Sequence, residues 1–487
     1  MSTPRRPILL PHVFPRRHLT SDARLVVLLD TEKNESLPIA ERSYRVLSAM
    51  DGTRDVEGIA RRVRLDGGRA EANEVAAFVA ELAEAGLVGE APEEPSESEQ
   101  PALRAPLPTP LPPEDPTRSL HELPGFRLEC DGRGSCCRFY PTVAFSPLEA
   151  ARARTHCPEV LDAGHVEARA FLPIAGRDTT LLAVALHRGR CAYLEPGGAC
   201  GVHHAAGAGA KPLGCRTYPA RFVDDGISVR VSPWFECACV ASSARGDRGE
   251  GSSLVPDGAR TRAELPPGVH VEHLPELVAV AEGHVATRAE LAAWSAALVA
   301  ACPAELDGVA AYASLARALS RSGLDLAASL EALNAPVAPT PDEVRPYLAA
   351  LHLRAERLAR EAFRDPDDLS RCAATALAAA CELADEALDE LLDRAPAYAR
   401  VEAAHLRVAL FGHQLAMGLR RDKTLALACF DRSMRLVAAR ALGVVAKLGG
   451  LDDPAFGEPL ALVEALLRGY GLSAYLAEGA TLRDAAG

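Results

Sequence analysis

Nine of the thirteen cysteines in this chain fall between residues 130 and 239, and this clustering restricts what the middle of the chain can fold into. An odd total and the lack of an export signal argue against a disulfide framework. Soft-metal ligation by thiolates is the leading interpretation, because tetrahedral thiolate sites select zinc or iron–sulfur clusters. Cys157 stands apart, and eight positions form the motif-like groups Cys130, Cys136 and Cys137; Cys191, Cys200 and Cys215; Cys237 and Cys239.

The residues around these cysteines suit a metal-binding loop. Gly132 and Gly134 lie between ligand candidates, and glycine tolerates the backbone angles of a tight wrap around a metal. Four thiolates on Zn²⁺ or on an oxidised four-iron cluster leave a net charge of about −2, so a nearby cation is expected. The candidate cations are Arg138, Arg216 and Arg221, and Arg216 is the strongest because it directly follows Cys215.

Two adjacent cysteines raise a geometric question. In a regular strand or helix, the side chains of Cys136 and Cys137 point in different directions. Both can serve one metal centre only if the backbone there is irregular. The sequence leaves open whether both are ligands or one lies just outside the ligand set.

Three ordered segments resemble a known family: FRLECDGRGSCCRFY, CAYLEPGGACGVHH and KPLGCRTYPARF. They are similar to the CxxCxxCC zinc/iron-chelating domains, also called YkgJ-like, over roughly residues 125–240. The resemblance implies a metal held by a ligand set drawn from Cys130, Cys136, Cys137, Cys191, Cys200 and Cys215. Arg133 stands where the family has its second cysteine, so Cys237 or Cys239 would fill the gap or form a second site.

A second likeness concerns the segment from Cys200 to Cys215, VHHAAGAGAKPLGCRTYP, together with the later VEAAHLRVALFGHQLAMGL. These resemble the flagellin lysine-N-methylases, which combine a cysteine cluster with a helical C-terminal region. The resemblance implies a 4Fe-4S cluster, S-adenosylmethionine and lysine methylation on a protein substrate. The C-x3-C-x2-C spacing of radical enzymes and a GxGxxG fingerprint are both absent from the sequence.

The first segment, residues 1–90, is predicted to form a winged-helix-like α/β module. A strand over 25–29 is followed by a turn over 31–36 and by a helix beginning near Ile39. Helices around 56–63 and 75–82 follow, with Gly86 as a C-cap and a short closing strand at Leu87. VVLLD, DGTRDVEGIARRV and EVAAFVAELAEAGLV resemble the PqqD-like peptide-recognition modules. That resemblance implies a peptide added as a strand beside the sheet.

DNA binding and a purely architectural role are the alternatives for this module. Residues 1–90 hold 13 Lys/Arg against 14 Asp/Glu, a net charge of −1, whereas a DNA reader is normally basic. The net charge of the whole chain, −13, likewise disfavours nucleic-acid partners and anionic membranes.

The remaining sequence divides by composition. A disordered Pro/Glu/Ser linker is predicted over 91–124 and a flexible polar linker over 241–268. An all-α region is predicted over 269–487. Single cysteines on its helices, at 302, 372, 381 and 429, are interpreted as small buried apolar residues. The expected fold class is multidomain and mainly α, with an irregular α+β metal-binding unit over 125–240.

Other chemistry-bearing residues have simpler interpretations. Of His203 and His204, one is expected to be partly buried and the other exposed, although either is a candidate zinc ligand. Asp224, Asp225 and Gly226 are interpreted as a hairpin turn between two strands and not as a carboxylate pair.

Compartment and function follow from these features. No secretory h-region lies within residues 1–18, and no apolar run reaches the roughly 20 residues that span a bilayer. A cytoplasmic protein with reduced thiols is expected. Two functions remain open: an enzyme that modifies a peptide or protein at a metal centre, and a non-catalytic protein whose zinc is structural.

Overall fold

The structure is a computed structural model that describes residues 4–20, 24–31, 33, 35–91, 115–130, 132, 134–139, 143–157, 170–174, 181–245, 251–360, 368–392, 395–417, 424–451 and 454–467. The chain divides into two compact units. The first unit comprises Met1–Pro110, Tyr140–Cys215 and Ala362–Asp368. The second unit comprises Leu111–Phe139, Arg216–Glu361 and Leu369–Gly487. Residues 125–240 therefore contribute to both units.

The fold is mixed α/β and rich in helix, which agrees with a helix-rich multidomain chain. The described strands are β1 (Pro7–Leu9), β2 (Val13–Leu19), β3 (Arg24–Asp30), β4 (Glu35–Ala40), β5 (Val88–Glu90), β6 (Leu120–Glu122), β7 (Ala144–Phe145), β8 (Phe171–Pro173), β9 (Leu182–Val184), β10 (Leu186–His187), β11 (Arg190–Cys191), β12 (Ala220–Asp224), β13 (Val229–Pro233), β14 (Val271–His273), β15 (Leu277–Ala281) and β16 (His284–Thr287).

The described α-helices are α1 (Glu41–Ser48), α2 (Val56–Leu65), α3 (Ala72–Glu84), α4 (Ser135–Phe139), α5 (Pro147–His156), α6 (Gly201–Ala206), α7 (Leu213–Thr217), α8 (Ala238–Ala244), α9 (Arg288–Ala301), α10 (Gly308–Ser322), α11 (Leu326–Asn334), α12 (Pro341–Ala359), α13 (Leu369–Glu386), α14 (Leu388–Leu392), α15 (Ala395–Phe411), α16 (Leu425–Leu448) and α17 (Pro459–Leu466).

The N-terminal part of the first unit has the strand and the three helices that the sequence predicts. The C-cap residue of α3 is Ala85 and not Gly86; Gly86 follows it with a φ of 73°, the left-handed conformation in which helices commonly end. The first helix begins at Glu41 and not near Ile39, because residues 35–40 form a strand that pairs with β3. The closing strand β5 pairs with β1.

Strand β2 escapes detection in the sequence because charged residues interrupt its apolar pattern. Its Arg16, Arg17 and His18 are all buried. The Arg16 Nε donates to the Val184 carbonyl over 2.8 Å, and Arg17 pairs with Glu41 over 2.9 Å. The Arg16 Nε and the Arg17 guanidinium thus have partners inside the unit, which offsets the cost of burying them.

The module shares its sheet and core with later residues of the first unit. Strand β10 pairs in parallel with β2, so the five-stranded sheet has the order β11-β10-β2-β3-β4. Leu172, Ile174 and Ala183 pack into the same hydrophobic core as α1–α3. The sheet and core of the N-terminal module are therefore completed by residues from the second stretch of the first unit, Tyr140–Cys215.

Both predicted linkers are partly ordered. Residues 92–114 and 246–250 lie outside the described residues. The linker prediction is wrong for 115–124, where β6 pairs with β13 and Leu123 is buried. It is also wrong for 241–245, which lie in α8 and at its C-cap, and for 251–268, where Leu254, Val255 and Leu265 are buried in a core shared with β12 and β13.

Contacts between residues 115–124 and residues 251–268 hold both stretches in place. The Glu122 carboxylate accepts hydrogen bonds from the backbone N–H groups of Leu254 at 2.6 Å and Val255 at 2.9 Å. Composition alone misses such long-range partners, because they are separated by more than a hundred residues.

In the second unit, a four-stranded sheet of order β14-β12-β13-β6 accompanies the helices α8–α17. The prediction of an all-α region from residue 269 is wrong for 271–287, which form β14, β15 and β16. Gly283, with a φ of 74°, closes the β15–β16 hairpin. In the described residues from Arg288 to Leu467, the helical prediction is confirmed by α9–α17. No helix in the described parts of the chain combines the length and apolarity that crossing a membrane requires.

Candidate functional site

Two of the candidate ligands, both on α4, lie close to each other. The Sγ atoms of Cys136 and Cys137 lie 4.0 Å apart. Zn–S bonds of ~2.3 Å in a tetrahedral site place two sulfurs roughly 3.8 Å apart. Gly132 and Gly134 precede the helix, each with a φ of 70°, and α4 spans only Ser135–Phe139. The two cysteines themselves lie within this short helix, and their sulfurs still approach each other.

Three further cysteines belong to the second unit. Cys130 is exposed, whereas Cys237 and Cys239, at the start of α8, are buried at 7% exposure each. The Glu129 N–H donates to the Ser243 Oγ over 3.1 Å, and Ser243 lies one turn after Cys239 on α8. The backbone beside Cys130 is therefore attached to the helix that carries Cys239.

In the first unit, Cys191 and Cys200 stand at the two ends of one closed loop. The Leu194 N–H donates to the Cys191 carbonyl over 2.9 Å, and Leu194 forms a β-bridge with Cys200. Gly198, with a φ of 88°, allows the reversal between them. Cys200 is the N-cap residue of α6, and Cys215 lies on α7; all three thiols are half-buried.

The candidate cations occupy different surroundings. Arg216, on α7, is exposed, and Arg138, beside Cys137, is half-buried. Arg221 is buried, donates to both Glu272 carboxylate oxygens at 2.6 and 2.7 Å, and stacks 4.3 Å from the Trp234 ring centroid. Glu272 thus balances its charge.

The two histidines after Cys200 differ from expectation. Both His203 and His204 are exposed, and the His204 Nδ1 lies 3.1 Å from a Glu195 carboxylate oxygen. The expectation that one of them is partly buried is wrong, because α6 turns both side chains toward solvent.

Within the described ranges, no three His, Cys, Asp or Glu side chains come together closely enough to hold a metal ion. The eight candidate cysteines are divided between the units: Cys191, Cys200 and Cys215 belong to the first, and Cys130, Cys136, Cys137, Cys237 and Cys239 to the second. The ligand set stays a prediction.

Two of the four single cysteines on the C-terminal helices are buried as predicted, whereas Cys302 and Cys372 are only half-buried. Cys381 and Cys429 are buried, and burial raises the pKa of each thiol to about 12. Burial raises the pKa of the half-buried Cys302 to about 11, although the nearby Arg407 charge lowers it in part. These three thiols are protonated at neutral pH and are poor nucleophiles.

The predicted turn at Asp224–Gly226 is confirmed, and it also carries a buried carboxylate pair that the sequence interpretation rejected. The Asp224 carboxylate lies within 3.1 Å of both Arg118 and Arg262. The Asp225 carboxylate accepts from the Arg230 Nε over 2.8 Å and from the Ser228 N–H over 2.7 Å. A hairpin turn hides this role, because the arginines come from distant positions.

Replacing Asp225 by asparagine is expected to lower the free energy of unfolding by about 2–3 kcal/mol, because Arg230 loses its buried partner. Burial opposes ionisation of Asp225, but hydrogen bonds from His413, Arg230 and backbone N–H groups hold its pKa well below the ordinary 3.8. The stabilisation is therefore present above pH 3.8 and is lost as the pH falls below it.

Urea unfolding at several pH values measures this difference. The gap between wild type and Asp225→Asn should narrow below pH 3.8. The control Asp342→Asn changes a side chain that is 95% exposed and should cost under about 1 kcal/mol. Equal effects of the two substitutions at neutral pH would contradict the prediction.

The chain matches no protein-family model, no curated protein and no solved structure with which it was compared. The likeness to the cysteine-cluster families therefore rests on the three motifs alone.

Proposed function

We propose that the chain is a metal-binding protein whose clustered cysteines hold an iron–sulfur cluster or zinc. The 4.0 Å approach of the Cys136 and Cys137 sulfurs, behind two glycines in the left-handed region, carries this proposal. As thiols the two groups can share a hydrogen bond, whereas as thiolates they repel each other unless a cation lies between them.

The proposed ligands are drawn from Cys130, Cys136, Cys137, Cys191, Cys200 and Cys215, with Cys237 and Cys239 as further candidates. Their chemistry supports the proposal, since every member is a soft thiolate donor. The closed loop between Cys191 and Cys200 is the second supporting feature, because its hydrogen bonds fix the spacing of the two thiols. Arg216, exposed beside Cys215, is the proposed counter-charge.

The test is anaerobic purification followed by metal analysis and visible spectroscopy, on wild type and on the double variant Cys136→Ser/Cys137→Ser. Wild type should contain stoichiometric iron with acid-labile sulfide, or zinc, and the double variant should lose most of that metal. Cys302→Ser is the matched control, since this half-buried thiol lies outside the cysteine groups. Metal-free wild type, or full metal content in the double variant, would refute the proposal.

An enzymatic extension is that the metal centre assists modification of a peptide or protein, such as lysine N-methylation from S-adenosylmethionine. The N-terminal module would hold the peptide as an added strand. Among the described strands, β4 pairs with β3 alone and is a free edge, whereas β10 covers β2. Pro38 in β4 lacks an N–H, so peptide pairing there would be incomplete.

The alternative is a non-catalytic protein in which zinc holds the short cysteine-bearing segments in place. Metal identity separates the two functions. A colourless protein with zinc would favour the structural role, whereas iron with acid-labile sulfide would be consistent with the enzymatic role. Transfer of a labelled methyl group from S-adenosylmethionine to polylysine would support the methylase activity. Failure to bind S-adenosylmethionine would contradict it.

A further inference from the structure

A cavity of about 480 Å³ lies within the second unit, in the size range of small-molecule sites. One wall is a face of α9 built from small and apolar residues. Opposite it stand polar side chains from β13, from α15 and from the turn after α15. The lining includes Ala292, Ala296 and Val299 on α9, and Arg407, Phe411 and His413.

The turn after α15 is held tightly in place. A Cβ on Gly412 would lie 2.7 Å from the Ser232 Cβ, so only glycine fits this approach to β13. The Gln414 side-chain amide donates to the Ser232 Oγ over 3.1 Å and to the Pro233 carbonyl over 3.0 Å. Between these two anchors, His413 adopts a φ of 50°, which is uncommon for a residue other than glycine.

His413 is buried at 3% exposure and lines the cavity. Its Nε2 lies 3.6 Å from the Asp225 carboxylate. Within the part of the chain that the structure describes, its Nδ1 has no hydrogen-bond partner. A strained backbone thus holds a buried ring at the cavity with polar capacity unused.

The ionised side chains at the cavity leave a positive excess. Arg230 is paired with Asp225 over 2.8 Å, so these two charges offset each other. Arg407 makes one long hydrogen bond, 3.4 Å from its Nη2 to the Pro124 carbonyl. Its buried Nε has no acceptor, and no carboxylate pairs with it, among the described residues. The count over Arg230, Arg407 and Asp225 is one net positive charge.

We infer that this cavity binds a small organic monocarboxylate, with its carboxylate on Arg407 and its apolar body against α9 and Phe411. A phosphate monoester carries about −1.5 to −2 charges at pH 7, more than the single excess charge balances. An inorganic anion has no apolar surface to bury against the wall of Ala292, Ala296 and Val299. A planar guanidinium also suits a carboxylate.

The test is calorimetric titration of the full-length protein with hexanoate, hexanamide and inorganic phosphate. Hexanoate should bind with measurable heat at millimolar concentration, and the other two should bind far more weakly. Equal binding of hexanamide would remove the role of charge, and equal binding of phosphate would remove the role of the apolar wall. No binding of hexanoate overturns the inference.

Two variants locate the site. Arg407→Met removes the charge and should weaken hexanoate binding roughly 10- to 100-fold, as expected for a charge-assisted hydrogen bond. Arg400→Met, on the same helix and paired with Glu305 over 3.1 Å, should leave binding unchanged. Ala296→Leu keeps every charge, places a larger side chain on the apolar wall and should also weaken binding. Unchanged affinity in both cavity variants, shown to be folded by circular dichroism, overturns the assignment.

Discussion

Replacing Glu464 by glutamine is expected to lower the free energy of unfolding of the second unit by about 3–5 kcal/mol. Glu464 is buried and pairs with both Arg432 and Arg435, the latter over 3.1 Å. Glutamine retains the shape but removes the charge that the two arginines share. Arg435 keeps Asp431 at 2.8 Å, whereas Arg432 is left without a carboxylate partner among the described residues. Uncompensated charges inside a helical core carry the largest penalties expected of a single substitution.

The network around Glu464 spreads this effect over several helices. The His405 Nε2 lies 3.4 Å from Glu464, and the Tyr312 hydroxyl lies 2.9 Å from the His405 Nδ1. Burial lowers the pKa of His405, so the neutral ring is favoured. With Nε2 protonated toward Glu464, its Nδ1 accepts from Tyr312. The side chains come from α10, α15, α16 and α17.

The pH dependence of this effect has a definite sign. Burial opposes ionisation of Glu464, but the charges of Arg432 and Arg435 outweigh it and hold its pKa well below the ordinary 4.5. Its stabilisation is therefore present above pH 4.5 and is lost as the pH falls below that value. The difference in unfolding free energy between wild type and Glu464→Gln should therefore shrink below pH 4.5.

Urea unfolding followed by far-UV circular dichroism measures both effects. Glu382→Gln is the matched control, because this glutamate on α13 is 71% exposed and should change stability by less than about 0.5 kcal/mol. Unfolding of the two variants at the same urea concentration would show that the Glu464 network contributes nothing.

Replacing Arg440 by methionine is the second large effect, with an expected loss of about 3–5 kcal/mol. Arg440 is 1% exposed and donates to both Glu402 oxygens at 2.8 and 2.7 Å and to Asp307 at 2.7 Å. The Glu402 carboxylate also accepts from the Gly308 N–H over 2.8 Å, at the start of α10. Methionine fills similar space but leaves a buried carboxylate without a counter-charge.

The difference in unfolding free energy between wild type and Arg440→Met should grow as the pH rises. The effect of Glu464→Gln depends on the pH differently, because that difference shrinks as the pH falls below 4.5. Burial raises the pKa of Glu402 above 4.5 even with Arg440 beside it. Without Arg440, the folded state retains the proton to a still higher pH, whereas the unfolded chain releases it near 4.5. Stability of the variant therefore falls as the pH rises above 4.5, until Glu402 ionises in the folded state.

Unfolding free energies at acidic and mildly alkaline pH provide the check. Arg400→Met serves as control, since Arg400 and its partner Glu305 are 58% and 62% exposed. A deficit for Arg440→Met that is small and independent of pH would mean that Glu402 is solvated in the folded protein.

Local signals in the sequence predicted a large part of the fold. The strand at 25–29, the helices α2 and α3 with the glycine at 86, the hairpin at Asp224–Gly226 and the helices from Arg288 onward are all found. Each depends on neighbouring residues alone: an apolar period, a glycine with positive φ or a turn dipeptide. These interactions act over a few positions, so the sequence displays them directly.

The predictions that were wrong concern elements whose stability depends on residues far apart in the sequence. Strand β2 holds buried arginines because carbonyl and carboxylate partners from other segments surround them, and β6 is ordered because β13 lies beside it. Composition counts such segments as polar and therefore as surface or linker. Similarly, residues 271–287 are predicted to begin the helical region, but part of this stretch forms the hairpin closed by Gly283.

The sequence alone determined which residue types are present for chemistry: eight clustered thiols, their glycines and an arginine after Cys215. Only the tertiary structure decided that the Cys136 and Cys137 sulfurs converge to 4.0 Å, that the eight thiols divide between two units, and that Arg230, Arg407 and His413 line one cavity. The physical reason is that ligation and charge pairing depend on distance in space. Residues 230 and 407 have no relation along the chain until β13 and α15 pack together.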